Sequence, residues 1–98
     1  MIFADNDAAK GWEELCRQSA ANTFEAWHRL RTDPAPRLNT RRQHRLRNTL
    51  AHGTRAGRQL PQYQIEVTGS GRVWYLLDAE NRTVWVVLAG TGHPKETE

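Results

Sequence analysis

Tyr63-Gln64-Ile65-Glu66-Val67, Arg72-Val73-Trp74-Tyr75-Leu76-Leu77-Asp78 and Thr83-Val84-Trp85-Val86-Val87-Leu88-Ala89 follow one another within the stretch from Gln62 to His93. In the first run Tyr63, Ile65 and Val67 alternate with Gln64, Glu66 and Thr68, the two-residue period of a strand with one face buried. The second run is rich in aromatic and aliphatic strand formers. The third is apolar on both faces and belongs inside a sheet. Thr68-Gly69-Ser70-Gly71 joins the first two, and its glycines allow the positive φ of a hairpin turn. Asp78-Ala79-Glu80-Asn81-Arg82 is the polar turn before the third, and Gly90-Thr91-Gly92-His93-Pro94 ends it. Three antiparallel strands in a meander follow from this pattern.

The rest of the chain supplies what covers that sheet. Asp5 or Asp7 caps a first helix, whose apolar positions Ala8, Ala9, Trp12, Leu15, Cys16 and Ser19 recur at three- and four-residue spacing. Gly11 weakens this helix without breaking it, and Cys16 reads as a small core residue. After a link at Ser19-Ala20-Ala21, Asn22 and Glu25 form a capping-box pattern. It opens a second helix with Phe24, Trp27 and Leu30 inward and His28 at the boundary, ending before Pro34. Asp33-Pro34-Ala35-Pro36 is a stiff linker and Arg37 to Arg42 is irregular. Gln43-His44-Arg45-Leu46-Arg47 makes a short edge strand with Leu46 inward and Arg45 and Arg47 outward. Ala51 to Arg58, with two glycines and no apolar anchor, reads as a mobile loop. The expected fold is α+β: a two-helix hairpin on an antiparallel sheet of three to four strands, one domain over residues 1–98.

Charge is unevenly spread. The net charge of +3 on 98 residues hides −2 over residues 1–36, +7 over residues 37–58 and −2 over residues 59–98. The seven positive charges of the central block are all arginine, with no acid among them. Such a block repels itself unless something anionic meets it, and arginine forks suit phosphate. A mean hydropathy of −0.79 and the lack of an apolar run near 18 residues argue against a membrane span. The first residues lack the basic and apolar regions of a signal peptide. The single cysteine forbids an internal disulfide, so cytoplasm is the expected location. Histidines at 28, 44, 52 and 93 have no metal-ligand spacing, so neither metal nor cofactor is expected.

What the meander does assemble is a cluster. Arg72 opens the second strand, His93 follows the third, and an antiparallel arrangement brings these ends together, with Glu66 one strand away and Gln64 on the same face. A carboxylate, an imidazole and several cations suit metal-free phosphodiester chemistry: one group takes a proton, another returns it, and cations stabilise the phosphorane. RNA carries its own nucleophile, the 2′-hydroxyl.

The arrangement Leu46-Arg47, Tyr63 to Val67, Gly71-Arg72-Val73-Trp74-Tyr75, Thr83 to Val87 and Gly92-His93-Pro94 resembles the RelE/ParE superfamily of toxins from bacterial toxin–antitoxin pairs, over roughly residues 8–95. The resemblance implies two helices on an antiparallel sheet, and mRNA cleavage in the ribosomal A site by 2′-hydroxyl attack. It implies that Arg72 contacts the scissile phosphate and that His93 is a general acid or base. Glu66, or His44 near a position where other members carry a glutamate, takes the complementary role. Arg45, Arg47, Arg58 and Lys95 are the expected contacts to phosphates of mRNA or ribosomal RNA, and an antitoxin protein is the expected partner. Gln64 and Glu66 occupy positions on the first strand of the meander where some members carry lysines, the C-terminal tyrosine of some members is absent, and Ile2-Phe3 is short for the usual N-terminal strand. These departures leave two alternatives: a ParE-like, non-catalytic inhibitor of DNA gyrase, and a basic RNA-binding module.

Overall fold

A computed structural model describes residues 1–91 of the chain; His93 and Lys95 lie outside the described residues. The fold is α+β, with two helices packed on a mixed sheet. In chain order the elements are β1 (Ile2–Phe3), α1 (Asn6–Gln18), α2 (Ala20–Thr32), β2 (Gln43–Arg45), β3 (His52–Arg55), β4 (Arg58–Glu66), β5 (Gly71–Asp78) and β6 (Thr83–Thr91). The sheet order is β1-β6-β5-β4-β2, with β3 pairing the first half of β4. The expected meander is β4–β5–β6, antiparallel throughout, with Glu66 opposite Arg72 and Arg72 opposite Gly90. The expectation of three to four strands falls short of the six found, and β1 makes the sheet mixed because it runs parallel to β6. No helix among the described residues is long and apolar enough to cross a membrane.

Strand parity decides the layers. Ile65, Val67, Val73, Tyr75, Val84 and Val86 form one core with Ala8, Leu15, Ala26 and Leu30 of the helices. Residues of opposite parity in β4 and β5 therefore face away from the helices. Burying each large side chain of this core stabilises the fold by about 1.5–3 kcal/mol.

Asp5 caps α1 by accepting from the Ala8 amide at 2.8 Å. The helix lies against β6 so closely that Gly11 has no room for a side chain: a Cβ there would sit 1.9 Å from the Ala89 carbonyl oxygen. Cys16 is exposed, not core, because the buried stripe runs through Ala8 and Leu15 and Cys16 falls to one side of it. Only Ser19 separates the helices, and the Asn22–Glu25 capping box does not form because α2 already begins at Ala20. The inward residues of α2 are Thr23, Ala26 and Leu30. Thr23 is small enough to bring the helices together, its hydroxyl lying 2.8 Å from the Ser19 carbonyl oxygen and 3.0 Å from that of Leu15. Phe24, expected inward, is 65% exposed and stacks on half-buried Trp27.

The stretch read as a loop from Ala51 to Arg58 is a hairpin. Ala56 and Gly57 both adopt positive φ (52° and 76°), the two-residue turn whose twist matches that of paired strands. Gly53 is a strand residue left bare because a Cβ would meet the Leu76 side chain at 2.8 Å. Leu76 faces away from the helices, so β3 lies over that face. Arg55 extends the cover, donating to the Ala4 carbonyl at 3.1 Å and sitting 4.8 Å over the Trp85 ring. In the Thr68–Gly71 turn neither glycine has positive φ, contrary to expectation. Thr68 instead closes it by accepting from the Gly71 amide at 2.8 Å, and Gly71 makes room for Leu15.

Tyr75 ties the linker to the core. Its hydroxyl donates to the Pro34 carbonyl at 2.7 Å and accepts from the Gln43 side-chain amide at 2.9 Å. Burial pushes the Tyr75 phenol well above its ordinary range, opposed by the Gln43 bond. The contribution of the neutral phenol to stability is therefore full below about pH 10, where an unfolded tyrosine ionises, and declines as pH rises above that. Tyr75→Phe is expected to cost about 1–2 kcal/mol at neutral pH and to flatten the alkaline fall in stability. Urea unfolding between pH 8 and 11 checks both; an unchanged alkaline slope would remove Tyr75 as its source.

Candidate functional site

Two adjacent rows on the far face of the sheet bring the candidate residues together. His44 of β2 pairs with Gln64 of β4, which pairs with Trp74 of β5. One step along, Glu66 pairs with Arg72. Directly opposed residues in antiparallel strands have their Cβ atoms about 5 Å apart. Four sequence-predicted residues, His44, Gln64, Glu66 and Arg72, thus occupy neighbouring positions at one end of β4.

Arg72 is 4% exposed, and a charged side chain is rarely buried so deeply without partners. Gln64 is one of them: its Oε1 lies 3.5 Å from Arg72 Nη1 and accepts from Trp74 Nε1 at 2.8 Å. Trp74 orients the amide, and the amide holds the guanidinium. Sequence reasoning missed the part of Trp74; its only sign was a position two residues after Arg72, hence the same face.

His44 is half-buried, and its Nδ1 lies 3.0 Å from the Thr40 carbonyl oxygen. A carbonyl can only accept, so Nδ1 carries the proton, and in the neutral ring Nε2 keeps its lone pair. An oriented imidazole with one free basic nitrogen is what a general base requires. Glu66 is half-buried beside it, its backbone amide donating to the Arg42 carbonyl at 2.6 Å.

The expected phosphate contacts divide. Arg47 is exposed. Arg45 is turned back onto the chain, donating to the Ala51 carbonyl at 2.9 and 3.1 Å and approaching His52 Nε2 at 3.0 Å. Arg58 is at the opposite end of β4 from Glu66, roughly 26 Å away for an extended strand. There it donates to both Asp78 oxygens, at 3.1 and 3.0 Å, and to Glu80 at 3.0 Å. Asn81 hydrogen bonds to Asp78, with Arg58 adding to them, hold that carboxyl below its ordinary range. Arg45 and Arg58 are thus structural clamps that the structure does not bring to the site as free cations. The reason is geometric: the chain entering β3 brings the Ala51 carbonyl against Arg45 of β2, and the end of β5 brings Asp78 and Glu80 against Arg58 at the start of β4.

Among the described residues no group of three or more His, Cys, Asp or Glu could hold a metal ion. An open cleft of about 390 Å³, lined by Leu30, Arg31, Leu77, Arg82 and Val84 among others, lies at the other end of β5 and shares no residue with the two rows. No family model, curated protein or solved structure matches this chain.

Proposed function

We propose that this chain is a toxin of the RelE/ParE kind, cleaving mRNA on the ribosome by metal-free attack of the RNA 2′-hydroxyl. The observation that carries the reading is the oriented His44, whose Nε2 has no hydrogen-bond partner among the described residues, one sheet row from Glu66 and, across β4, from Arg72. One further feature agrees with it: exposed arginines surround β2.

In the proposed reaction His44 Nε2 takes the 2′-hydroxyl proton and the 2′-oxygen bonds to phosphorus. Arg72 stabilises the charge on the phosphorane oxygens. The bond to the 5′-oxygen breaks and that oxygen receives a proton from His93, a role resting on the resemblance alone. Glu66, the cross-strand neighbour of Arg72, stands as the alternative base. The products are a 2′,3′-cyclic phosphate and a 5′-hydroxyl. Arg72 is 4% exposed, which counts against its direct contact with RNA. The reading places the protein in the cytoplasm with an antitoxin partner that restrains it.

That burial favours one second reading, inhibition of DNA gyrase by surface contacts without catalysis. Induction in a bacterial host followed by RNA sequencing separates the two. The nuclease reading predicts new mRNA ends at codon-spaced positions, lost in His44→Ala. An SOS response with intact mRNA would replace it with the gyrase reading.

A further inference from the structure

The proposal rests on the RNA reading and concerns which arginines meet the RNA. Of the seven arginines between residues 37 and 58, four have side-chain partners within the fold. Arg42 lies 3.9 Å from Glu25. Arg45 holds the Ala51 carbonyl, Arg55 the Ala4 carbonyl, and Arg58 clamps Asp78 and Glu80. Arg37, Arg41 and Arg47 remain: all three are exposed, and among the described residues their side chains make no hydrogen bond or ion pair.

Their placement is not random. The Arg42 carbonyl accepts from the Glu66 amide at 2.6 Å, and the Leu46 amide donates to the Gln62 carbonyl at 2.9 Å. Residues 42–46 therefore run along the edge of β4, with Arg41 beyond one end and Arg47 beyond the other, roughly 20 Å apart. His44 lies between them. We infer that Arg41 and Arg47, with exposed Arg37 four residues before Arg41, form the surface that holds the phosphates of a single RNA strand along the β2 edge, laying the strand across His44, while Arg45 and Arg58 take no part.

The chemistry of the surface favours a polynucleotide over a protein. Its other members are Asn39, Thr40, Asn48 and Thr49, all exposed hydrogen-bonding side chains, with Leu38 as the one exposed large apolar group of the segment. Protein interfaces centre on apolar and aromatic anchors; a row of forked cations among small polar groups suits a phosphate backbone.

Binding of a fluorescent twelve-uridine RNA to the full chain, followed from about 50 to 200 mM salt, tests this. Each arginine released from a single strand lowers the slope of log affinity against log salt by about 0.7. The variant combining Arg37→Gln, Arg41→Gln and Arg47→Gln should have a slope shallower by about 2. Its affinity would then fall about 20-fold less than that of the wild type across that salt range. Arg47→Gln alone should lose about 0.7, and serves if the triple variant folds poorly. Arg17→Gln, which removes an equal charge from the outer face of α1, should keep the full slope. An unchanged slope in the triple variant would overturn this surface while leaving the RNA reading standing, and would assign the three arginines to an acidic protein partner. A wild-type chain that does not bind the oligonucleotide would overturn this surface, whereas the RNA reading falls only if ribosome-bound mRNA is left uncut.

Discussion

Arg72→Ala is expected to lower RNA cleavage by about 100- to 1,000-fold, the usual cost of removing one preorganised donor from a developing oxyanion. The guanidinium has little freedom to be elsewhere, since Gln64 lies against it and Trp74 fixes Gln64. It is also shielded from water, where a charge acts more strongly than in bulk solvent. Arg72→Lys should recover only part of the rate, because an ammonium keeps the charge and loses the fork. Two measurements separate catalysis from folding: cleavage of ribosome-bound mRNA, and the near-ultraviolet dichroism of the tryptophans. A variant that keeps both its dichroism and its cleavage would remove Arg72 from the reaction.

Gly11→Ala should destabilise the fold by about 3 kcal/mol or more, at the upper end of overpacking costs. The sign is the informative part. In an exposed helix the same change would stabilise by about 1 kcal/mol. Here the new methyl would sit 1.9 Å from the Ala89 oxygen and 2.7 Å from its carbon, and neither is a side chain that can turn away. The helix must lift from β6 or the strand must bend. For a chain of this length the expected fall in Tm is at least about 12 °C. Thermal unfolding followed by circular dichroism gives the answer directly; a Tm that rises would mean that α1 and β6 are not in this close contact.

The meander was legible because its signals are local. Alternation from Tyr63 to Val67 and turn residues at both ends set parity, and parity placed Glu66, Gln64 and Arg72 on one face. The β3–β4 hairpin was not legible for the opposite reason. Gly53 looks like a loop residue, yet its smallness serves contact with Leu76, a partner 23 positions away in a different strand. Phe24 carried a similar trap. Its hydrophobicity argued for burial, but the space beside the sheet takes Thr23 and Ala26, because close helix approach favours small side chains. The arginine block was visible as a charge and invisible as a division of labour. Whether a guanidinium is clamped or free depends on carbonyls and carboxylates such as Ala51, Ala4 and Asp78, which only the folded chain brings near. The orienting bond from His44 to Thr40 has local spacing, four residues, but it needs the edge strand formed by pairing with β4.

The central claim is that RNA is cut through its own 2′-hydroxyl by groups on this sheet face. The most direct measurement is end-group analysis of an mRNA on programmed ribosomes incubated with the purified chain. A 2′,3′-cyclic phosphate on the upstream fragment and a 5′-hydroxyl on the downstream one are predicted, with both lost in His44→Ala. An uncut message, or fragments bearing a 3′-hydroxyl and a 5′-phosphate, would contradict it.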